Sequence, residues 1–171
     1  MIPTMSSAEG SAPGEVANRP SIVYKSFLDA LNRQDLDAAT RCVNVERYRE
    51  NCVAFTKGFV DWEDAKASVL TIWKALPDLR VELHELAEES DCALARGTVR
   101  GTAQGRLYGA PATQRSFEAS FFDYVKIADG LIIEDCRVAV VGSENDREDP
   151  DCRRFARTVR PEQTDDGAPP G

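Results

Sequence analysis

No run of about 18 apolar residues occurs in the chain, so the sequence predicts no membrane-spanning segment. Histidine is nearly absent: His84 is the only one, and the five cysteines form no Cys-x-x-Cys pair. A metal site of the usual His and Cys kind is therefore not expected, and neither is a cofactor. The first 20 residues have neither a basic start nor an apolar core, which argues against a signal peptide. We therefore expect a cytoplasmic protein with free thiols.

Acidic residues outnumber basic residues in this chain. The chain has 21 Lys and Arg against 29 Asp and Glu, a net charge of −8. This excess repels the phosphates of nucleic acids unless a local basic patch opposes it. The densest basic stretch, Arg153–Arg160, is interspersed with acidic residues and is interpreted as a solvated helix or tail. Neither nucleic acid nor a membrane is an expected partner.

The 171 residues suit one domain. Residues 1–20 are rich in Ser, Ala, Gly and Pro, which predicts a disordered N-terminal tail. Residues 143–171 have few apolar anchors and are predicted to form a flexible C-terminal tail. The folded domain is therefore placed at residues 21–142.

Helical patterns occupy the first half of the chain. Val23, Phe27 and Leu31 recur at helical spacing, and Asp35 can cap a second helix. The predicted helices are Ser21–Asn32, Leu36–Cys42 and Trp62–Leu76, with a short extended segment at Glu50–Phe55.

Strand patterns occupy the second half. The predicted strands are Arg80–Ala87, Cys92–Thr102, Ser116–Ile127 and Leu131–Val141. On the first strand, Val81, Leu83 and Glu85 are placed on one face, and His84 is placed on the other face and exposed. Helices followed by an antiparallel meander predict an α+β fold. We expect a cone-shaped curved antiparallel sheet, wrapped by three N-terminal helices, that encloses an apolar pocket.

Four stretches of the chain resemble motifs of SnoaL-like polyketide cyclases, in the same order. They are LPDLRV at 76–81, SDCALAR at 90–96, GTAQG followed by GAPAT within 101–113, and FDY followed by DGLIIE within 122–134. The resemblance spans about residues 21–141. It implies the nuclear transport factor 2-like fold, which ketosteroid isomerase and limonene epoxide hydrolase share, and a small hydrophobic molecule as partner. Such a fold does not by itself define the chemistry.

The family's histidines are replaced in this chain. Ala103 stands where the family has the histidine of its GTH motif, and Glu134-Asp135-Cys136 replaces its EHW motif. Asn51 stands at the last position of a Tyr-x-x-His pattern that begins at Tyr48. The resemblance therefore implies the scaffold without the histidine-based mechanism.

Asp123 is the strongest catalytic candidate. It shares one face of its strand with Phe121, Val125 and other apolar residues, and a carboxyl on such a face is costly unless it is paired or neutral. The hairpin after Ile127 places it opposite Asp135 or Cys136, with Arg137 as a near neighbour. A second carboxyl there would provide an acid and a base, whereas Arg137 there would keep Asp123 ionised. The alternative is a carboxylate that pairs with Arg96, Arg100 or Arg137 for stability alone.

Further residues are candidates for the same pocket. Asn51 and Tyr48 could donate hydrogen bonds to an enolate oxygen, although a loop amide and a core tyrosine are the simpler interpretations. Arg96 matches a family arginine but could equally form a surface ion pair. The predicted catalytic residues are Asp123, Asn51 and Arg137, and the predicted substrate-binding residues are Tyr48, Trp73, Arg96, Tyr108, Phe121 and Asp135.

Three functions fit these residues. The leading hypothesis is cofactor-independent cyclisation or isomerisation of a polyketide-like intermediate by enolate chemistry, with Asp123 as the base. The second is epoxide opening by an arrangement of Asp123, Arg137 and Asp135. The third is a non-catalytic binding or scaffold module, which allows a homodimer through the outer face of the sheet. Polar residues on that face, such as Glu118 and Lys126, argue against extensive association.

Overall fold

The computed structural model describes residues 18–51, 59–107 and 109–141, with the backbone alone at 139–141. The predicted C-terminal tail, nearly all of the predicted N-terminal tail, Tyr108 and residues 52–58 lie outside the described residues.

The helices begin where the sequence provides starting signals. They are α1 (Pro20–Asn32), α2 (Leu36–Arg41) and α3 (Trp62–Ala75). Pro20 at the first turn of α1 has no N–H to leave unpaired. The side chains of Asp35 and Asp61 accept hydrogen bonds from the backbone N–H groups of Ala38 and Asp64 and so cap α2 and α3. The three predicted helices are confirmed to within one residue at each end. Within the described ranges, none of them is long and apolar enough to cross a membrane.

The described strands form one open, curved sheet in the order β1-β5-β4-β3-β2. They are β1 (Arg49–Glu50), β2 (Arg80–Glu89), β3 (Cys92–Thr102), β4 (Ser116–Ala128) and β5 (Leu131–Val141). β1 pairs with β5 in parallel, and the other neighbours are antiparallel. The predicted α+β class and curved sheet are confirmed.

A bulge in the β4–β5 hairpin corrects the predicted register. Ile127 pairs with Ile132, but Lys126 pairs with Glu134, so β5 carries one extra residue at Ile133. Without this residue the turn would set Asp123 opposite Cys136. With it, Asp123 lies directly opposite Arg137. Because neighbouring residues of a strand face opposite ways, the bulge also decides which residues of β5 face inward.

A second bulge, between Leu83 and Glu85, corrects the predicted faces of β2. Glu85 was expected beside Leu83, but it is exposed, and Leu86 joins Val81 and Leu83 against the core. His84 is exposed, as predicted.

The core fills the space between the inner face of the sheet and the helices. Its largest fully buried side chains are Trp62, Tyr24, Tyr48, Phe121, Ile132 and Val125. Residues of β3 on this face are small: Ala93, Ala95 and Gly97. A Cβ at Gly97 would lie 2.5 Å from the ring of Phe121, so the absence of a side chain there lets this ring lie against the strand.

Candidate functional site

A buried ion pair lies on the inner face of the sheet. Asp123 is 2 % exposed, and its Oδ2 accepts hydrogen bonds from Arg137 Nε at 2.9 Å and Nη2 at 2.5 Å. The hydroxyl of Tyr24 on α1 donates a third hydrogen bond to the same oxygen at 2.6 Å. These donors offset the cost of removing a carboxylate from water.

Asp135 lies next to this pair, two residues before Arg137 on the same face of β5. It is 2 % exposed, and its Oδ2 is 3.7 Å from Arg137 Nη2. Burial raises the pKa of Asp135 well above its usual range, and the charge of Asp123 raises it further, while Arg137 opposes both effects. The surroundings of Asp135 therefore favour its protonated form.

Each of the two aspartates keeps one oxygen without a partner. Among the described residues, Oδ1 of Asp123 and Oδ1 of Asp135 are buried and have no hydrogen-bond partner. Buried polar atoms are normally hydrogen-bonded, so these two oxygens mark a place where a bound molecule can interact.

Arg137 lies between the two buried aspartates and solvent. Burial alone would lower its pKa, but Asp123 and Asp135 outweigh this effect and raise it, so the guanidinium stays charged. Its side chain is 27 % exposed, and its Cζ lies 5.8 Å from the centre of the Phe121 ring, a cation–π distance. The site therefore reaches solvent at the guanidinium.

β1 adds a third carboxyl to the site. Glu50 pairs with Asp135 in the parallel register, which places the two side chains on the same face. Tyr48 is buried and donates a hydrogen bond from its hydroxyl to Glu50 Oε2 at 3.2 Å. Burial raises the pKa of Glu50, and Arg137 and the Tyr48 hydrogen bond oppose this shift. The ring of Trp62 packs edge-on against Tyr48 at 5.3 Å between centres.

The structure brings together five of the predicted site residues. They are Asp123, Arg137, Asp135, Tyr48 and Phe121. We call these five residues, with Tyr24 and Glu50, the carboxyl cluster.

The structure places the other predicted residues elsewhere. Arg96 is on the outer face of the sheet, where its guanidinium pairs with Glu85 at 2.7 Å. The side chain of Asn51 is exposed, and its backbone N–H donates to the carbonyl of Asp135 at 2.8 Å. Trp73 is half-buried on α3, and Trp62 is the tryptophan that packs on the cluster. Tyr108 lies outside the described residues.

Sequence reasoning missed Tyr24 and Glu50. Tyr24 stands on the apolar face of α1, three residues before Phe27, where a hydroxyl needs a buried partner. Glu50 is two residues after Tyr48 and so shares its face of an extended segment. These spacings are the signals that could have indicated both residues.

An open depression of about 800 Å³ lies on the other side of the sheet, lined by Leu94, Phe122, Val138 and neighbouring residues that include Asp123. The side chain of Asp123 is fully buried on the inner face, so its carboxyl group is not exposed in this depression. Within the described ranges, no group of three or more His, Cys, Asp or Glu side chains is arranged to hold a metal ion.

The curved open sheet, with helices on its inner face and a buried polar cluster between them, is an α+β fold similar to that of a nuclear transport factor 2-like protein from Burkholderia pseudomallei K96243, with a TM-score of 0.60 and 13% identity, covering 84% of this chain and 97% of that one. The SnoaL-like polyketide cyclase family model matches residues 21–139, and the chain belongs to that family. This confirms the resemblance drawn from the sequence motifs. A search of the curated proteins gave no match.

Solved structures share the fold at low sequence identity. One is a protein from Jannaschia sp. CCS1 that is described as a proposed SnoaL-like polyketide cyclase. It has a TM-score of 0.65 and 18% identity, covering 77% of this chain and 91% of that one. AclR from Streptomyces galilaeus, a proposed hydroxylase, has a TM-score of 0.64 and 22% identity, covering 71% and 79%. TsrD from Streptomyces laurentii has a TM-score of 0.60 and 28% identity, covering 70% and 86%.

Proposed function

We propose that the protein catalyses cofactor-independent ring closure or isomerisation of a polyketide-like intermediate in natural-product biosynthesis. The observation that carries this proposal is a pair of buried carboxyls in different surroundings. Asp123 is ion-paired with Arg137, whereas burial raises the pKa of Asp135. Two carboxyls with different environments provide a base and an acid at the same pH.

The proposed step is enolisation followed by carbon–carbon bond formation. Oδ1 of Asp123 removes a proton from the carbon next to a carbonyl, and that C–H bond breaks. Asp135 donates its proton to the developing enolate oxygen, and the charge of Arg137 stabilises it. The enol carbon attacks an electrophilic carbonyl carbon. As the first carbonyl re-forms, its oxygen returns the proton to Asp135, and the new alkoxide receives the proton held by Asp123. As a consequence, Asp135 and Arg137 take the role first expected of Asn51, whose side chain is exposed.

Hydrogen–deuterium exchange at an acidic carbon tests this function directly. The probe is 2-tetralone in D₂O, followed by ¹H NMR. The wild-type protein is expected to accelerate exchange, and Asp123→Asn to reduce this acceleration by about 100-fold, the low end for a lost acid–base group. Glu85→Gln, which changes an exposed carboxyl on the outer face, is the control and should exchange like the wild type. Equal rates for Asp123→Asn and wild type would exclude Asp123 as the base.

Epoxide opening is a second candidate, because Arg137 lies between the two aspartates. Its Nη2 is 2.5 Å from Asp123 Oδ2 and 3.7 Å from Asp135 Oδ2. In this reaction Asp123 accepts a proton from water as the water oxygen attacks an epoxide carbon. The C–O bond breaks, and Asp135 donates its proton to the leaving oxygen. Styrene oxide incubated in H₂¹⁸O distinguishes the two functions, since only hydrolysis places one labelled oxygen in a diol product.

We also propose that the protein forms a homodimer through the outer face of the sheet. Leu94, Phe122 and Val138 are 59%, 52% and 42% exposed on this face, and Phe122 pairs directly with Val138 across the strands. The rim carries both signs of charge in the Arg96–Glu85 and Arg100–Glu118 pairs. A surface with both signs beside an apolar centre is complementary to a copy of itself related by a twofold axis.

A further inference from the structure

The two aspartates of the carboxyl cluster are shut off from water. The side chain of Asp123 is 0% exposed, and that of Asp135 is 3% exposed. A carboxyl exchanges its proton only with a partner within hydrogen-bond reach, either directly or through one water. The proposed chemistry moves protons on and off both aspartates, so their route to solvent runs through another member of the cluster.

Most members of the cluster do not provide such a route. Tyr24 and Tyr48 are buried, and burial raises the pKa of both phenols, so they keep their protons at neutral pH. Arg137 is 27% exposed, and burial opposes its charge, but the neighbouring carboxylates outweigh this effect and raise its pKa. It therefore keeps its proton as well, and Phe121 has none to exchange. In the part of the cluster that the structure describes, this leaves Glu50.

Glu50 lies between Asp135 and water. The two residues are partners in the parallel register of β1 and β5, and neighbouring strands are about 5 Å apart. The backbone N–H of Asn51 donates to the carbonyl oxygen of Asp135 at 2.8 Å and fixes this register. The hydroxyl of Tyr48 donates to Glu50 Oε2 at 3.2 Å and holds the side chain beside the cluster. Unlike Asp135, Glu50 is only partly buried, so its side chain also meets solvent.

The electrostatic surroundings of the two carboxyls are alike. Burial raises the pKa of Glu50 and that of Asp135, while the charge of Arg137 opposes both shifts. The groups that act on Glu50 are Asp135 and Arg137 on β5, Asp123 on β4 and Tyr48 next to it on the same face. Because both pKa values move in the same direction, neither carboxyl is a sink that traps the proton of the other.

We propose that Glu50 is the proton relay that connects Asp135 and Asp123 with solvent. The inference rests on the proposed function, because it assigns a route to the protons which that function moves. Glu50 acts through Asp135, so its expected effect is on proton exchange with water and not on the cleavage of the substrate C–H bond.

The route is a sequence of three transfers. Once Asp123 has taken a proton from carbon and Asp135 has given its own to the enolate oxygen, Asp135 can accept the proton of Asp123, because a hydrogen bond joins the two side chains. Asp135 passes this proton to the ionised carboxylate of Glu50, and Glu50 releases it to water. A proton from solvent returns by the same route to Asp123, which delivers it to the substrate carbon.

Isotope wash-out from labelled 2-tetralone tests the relay. The probe carries deuterium at its acidic carbons, and its loss in H₂O is followed by ¹H NMR. Glu50→Gln keeps the size of the side chain and an oxygen for Tyr48 but carries no proton, and it should slow wash-out by at least about tenfold. Glu50→Asp, which keeps a carboxyl, should retain most of the rate. Glu85→Gln, on the outer face, should behave like the wild type.

The primary isotope effect distinguishes a relay from a structural role. In the wild type, cleavage of the bond to carbon limits wash-out, so deuterium and a tritium tracer should leave 2-tetralone at different rates. In Glu50→Gln the label on Asp123 returns to carbon before it escapes, so the two rates should become nearly equal. A variant as fast as the wild type would overturn the inference, and so would a slower variant with an undiminished isotope effect.

Infrared spectroscopy of the free protein separates this inference from the proposed function. The carbonyl band of protonated Asp135, assigned by its loss in Asp135→Asn, shifts after transfer to D₂O as deuterium replaces the proton. The shift should be slower in Glu50→Gln than in the wild type and in Glu85→Gln. A slower shift in a protein that does not exchange 2-tetralone contradicts the enolate chemistry and supports the relay. Equal rates of the shift in all three proteins overturn the relay, whether or not 2-tetralone is exchanged.

Discussion

Asp135 is the residue at which the chemistry and the stability of the protein conflict. It lies in a place that disfavours its charge, between Asp123 and Glu50 and out of water. An acid at this position needs such surroundings, because only a carboxyl with a raised pKa still holds a proton at neutral pH. The same surroundings make the residue costly for folding once the proton is lost.

The pH dependence of stability should reveal this cost. An aspartate of the unfolded chain loses its proton near pH 3.9. Because the folded-state pKa is raised, the unfolded chain releases this proton first, and stability falls as pH rises until the folded-state pKa is passed. We expect Asp135→Asn to remove this dependence, so that its advantage over the wild type grows with pH and exceeds about 0.5 kcal/mol at pH 8.

Urea unfolding of the wild type and of Asp135→Asn between pH 4 and pH 8 measures this difference. Glu85→Gln is the matched control and should stay within about 0.5 kcal/mol of the wild type, as surface substitutions do. A difference that is constant over this pH range would show that Asp135 has an ordinary pKa.

At the scale of the element, two bulges determine which side chains meet. The extra residue Ile133 turns Asp135 and Arg137 inward, and the bulge beyond Leu83 turns Leu86 inward. Between these bulges, Gly97 on β3 leaves room for the ring of Phe121, over which the guanidinium of Arg137 lies. The geometry of the ion pair therefore depends on a glycine of the strand next to Asp123, two strands from Arg137.

Gly97→Ala is expected to destabilise the protein by about 1–3 kcal/mol, the usual cost of overpacking. The new Cβ would meet the carbonyl oxygen of Glu82 and the ring of Phe121, and the backbone atom has little freedom to move. Gly101→Ala is the control on the same strand, because its nearest contact is a ring atom of Phe117 at 3.2 Å, and it should cost clearly less. Urea unfolding compares the two, and equal losses would show that Gly97 is not specially constrained.

At the scale of the whole molecule, the sheet has two faces with different roles. The inner face holds the carboxyl cluster, and the outer face exposes Leu94, Phe122 and Val138. A patch of large apolar side chains that is exposed in one chain commonly marks an interface. This is why we propose that the second copy binds at the outer face.

Phe122→Asp is expected to convert a dimer into a monomer, because it places a charge at the centre of the apolar patch. Sedimentation of the wild type and the variant over a range of concentrations measures the change. Val45→Asp changes a side chain that is similarly exposed, at 49%, but lies outside the sheet, and it should leave the assembly unaltered. A wild-type protein that sediments as a monomer at all concentrations would contradict the interface.

Much of the fold was accessible from the sequence alone. Apolar residues at helical spacing predicted α1, and alternation predicted β4 and β5, because these periods follow from local backbone geometry. The same alternation marked Asp123 as a carboxyl on an apolar face, and it is buried. The sequence motifs indicated the family that the model of residues 21–139 confirms.

Only the tertiary structure decided which partners Asp123 has. A bulge adds a single residue and leaves almost no trace in a local pattern, yet it reverses every side chain beyond it. Tyr24 and Glu50 reach the cluster from elements that are distant in the chain, so no local spacing connects them with Asp123. The sequence by itself determined the helices, the strands and the burial of the Asp123 carboxyl, because these depend on neighbours along the chain. The ion pair with Arg137 and the raised pKa of Asp135 depend on neighbours in space, which only the tertiary structure brings together.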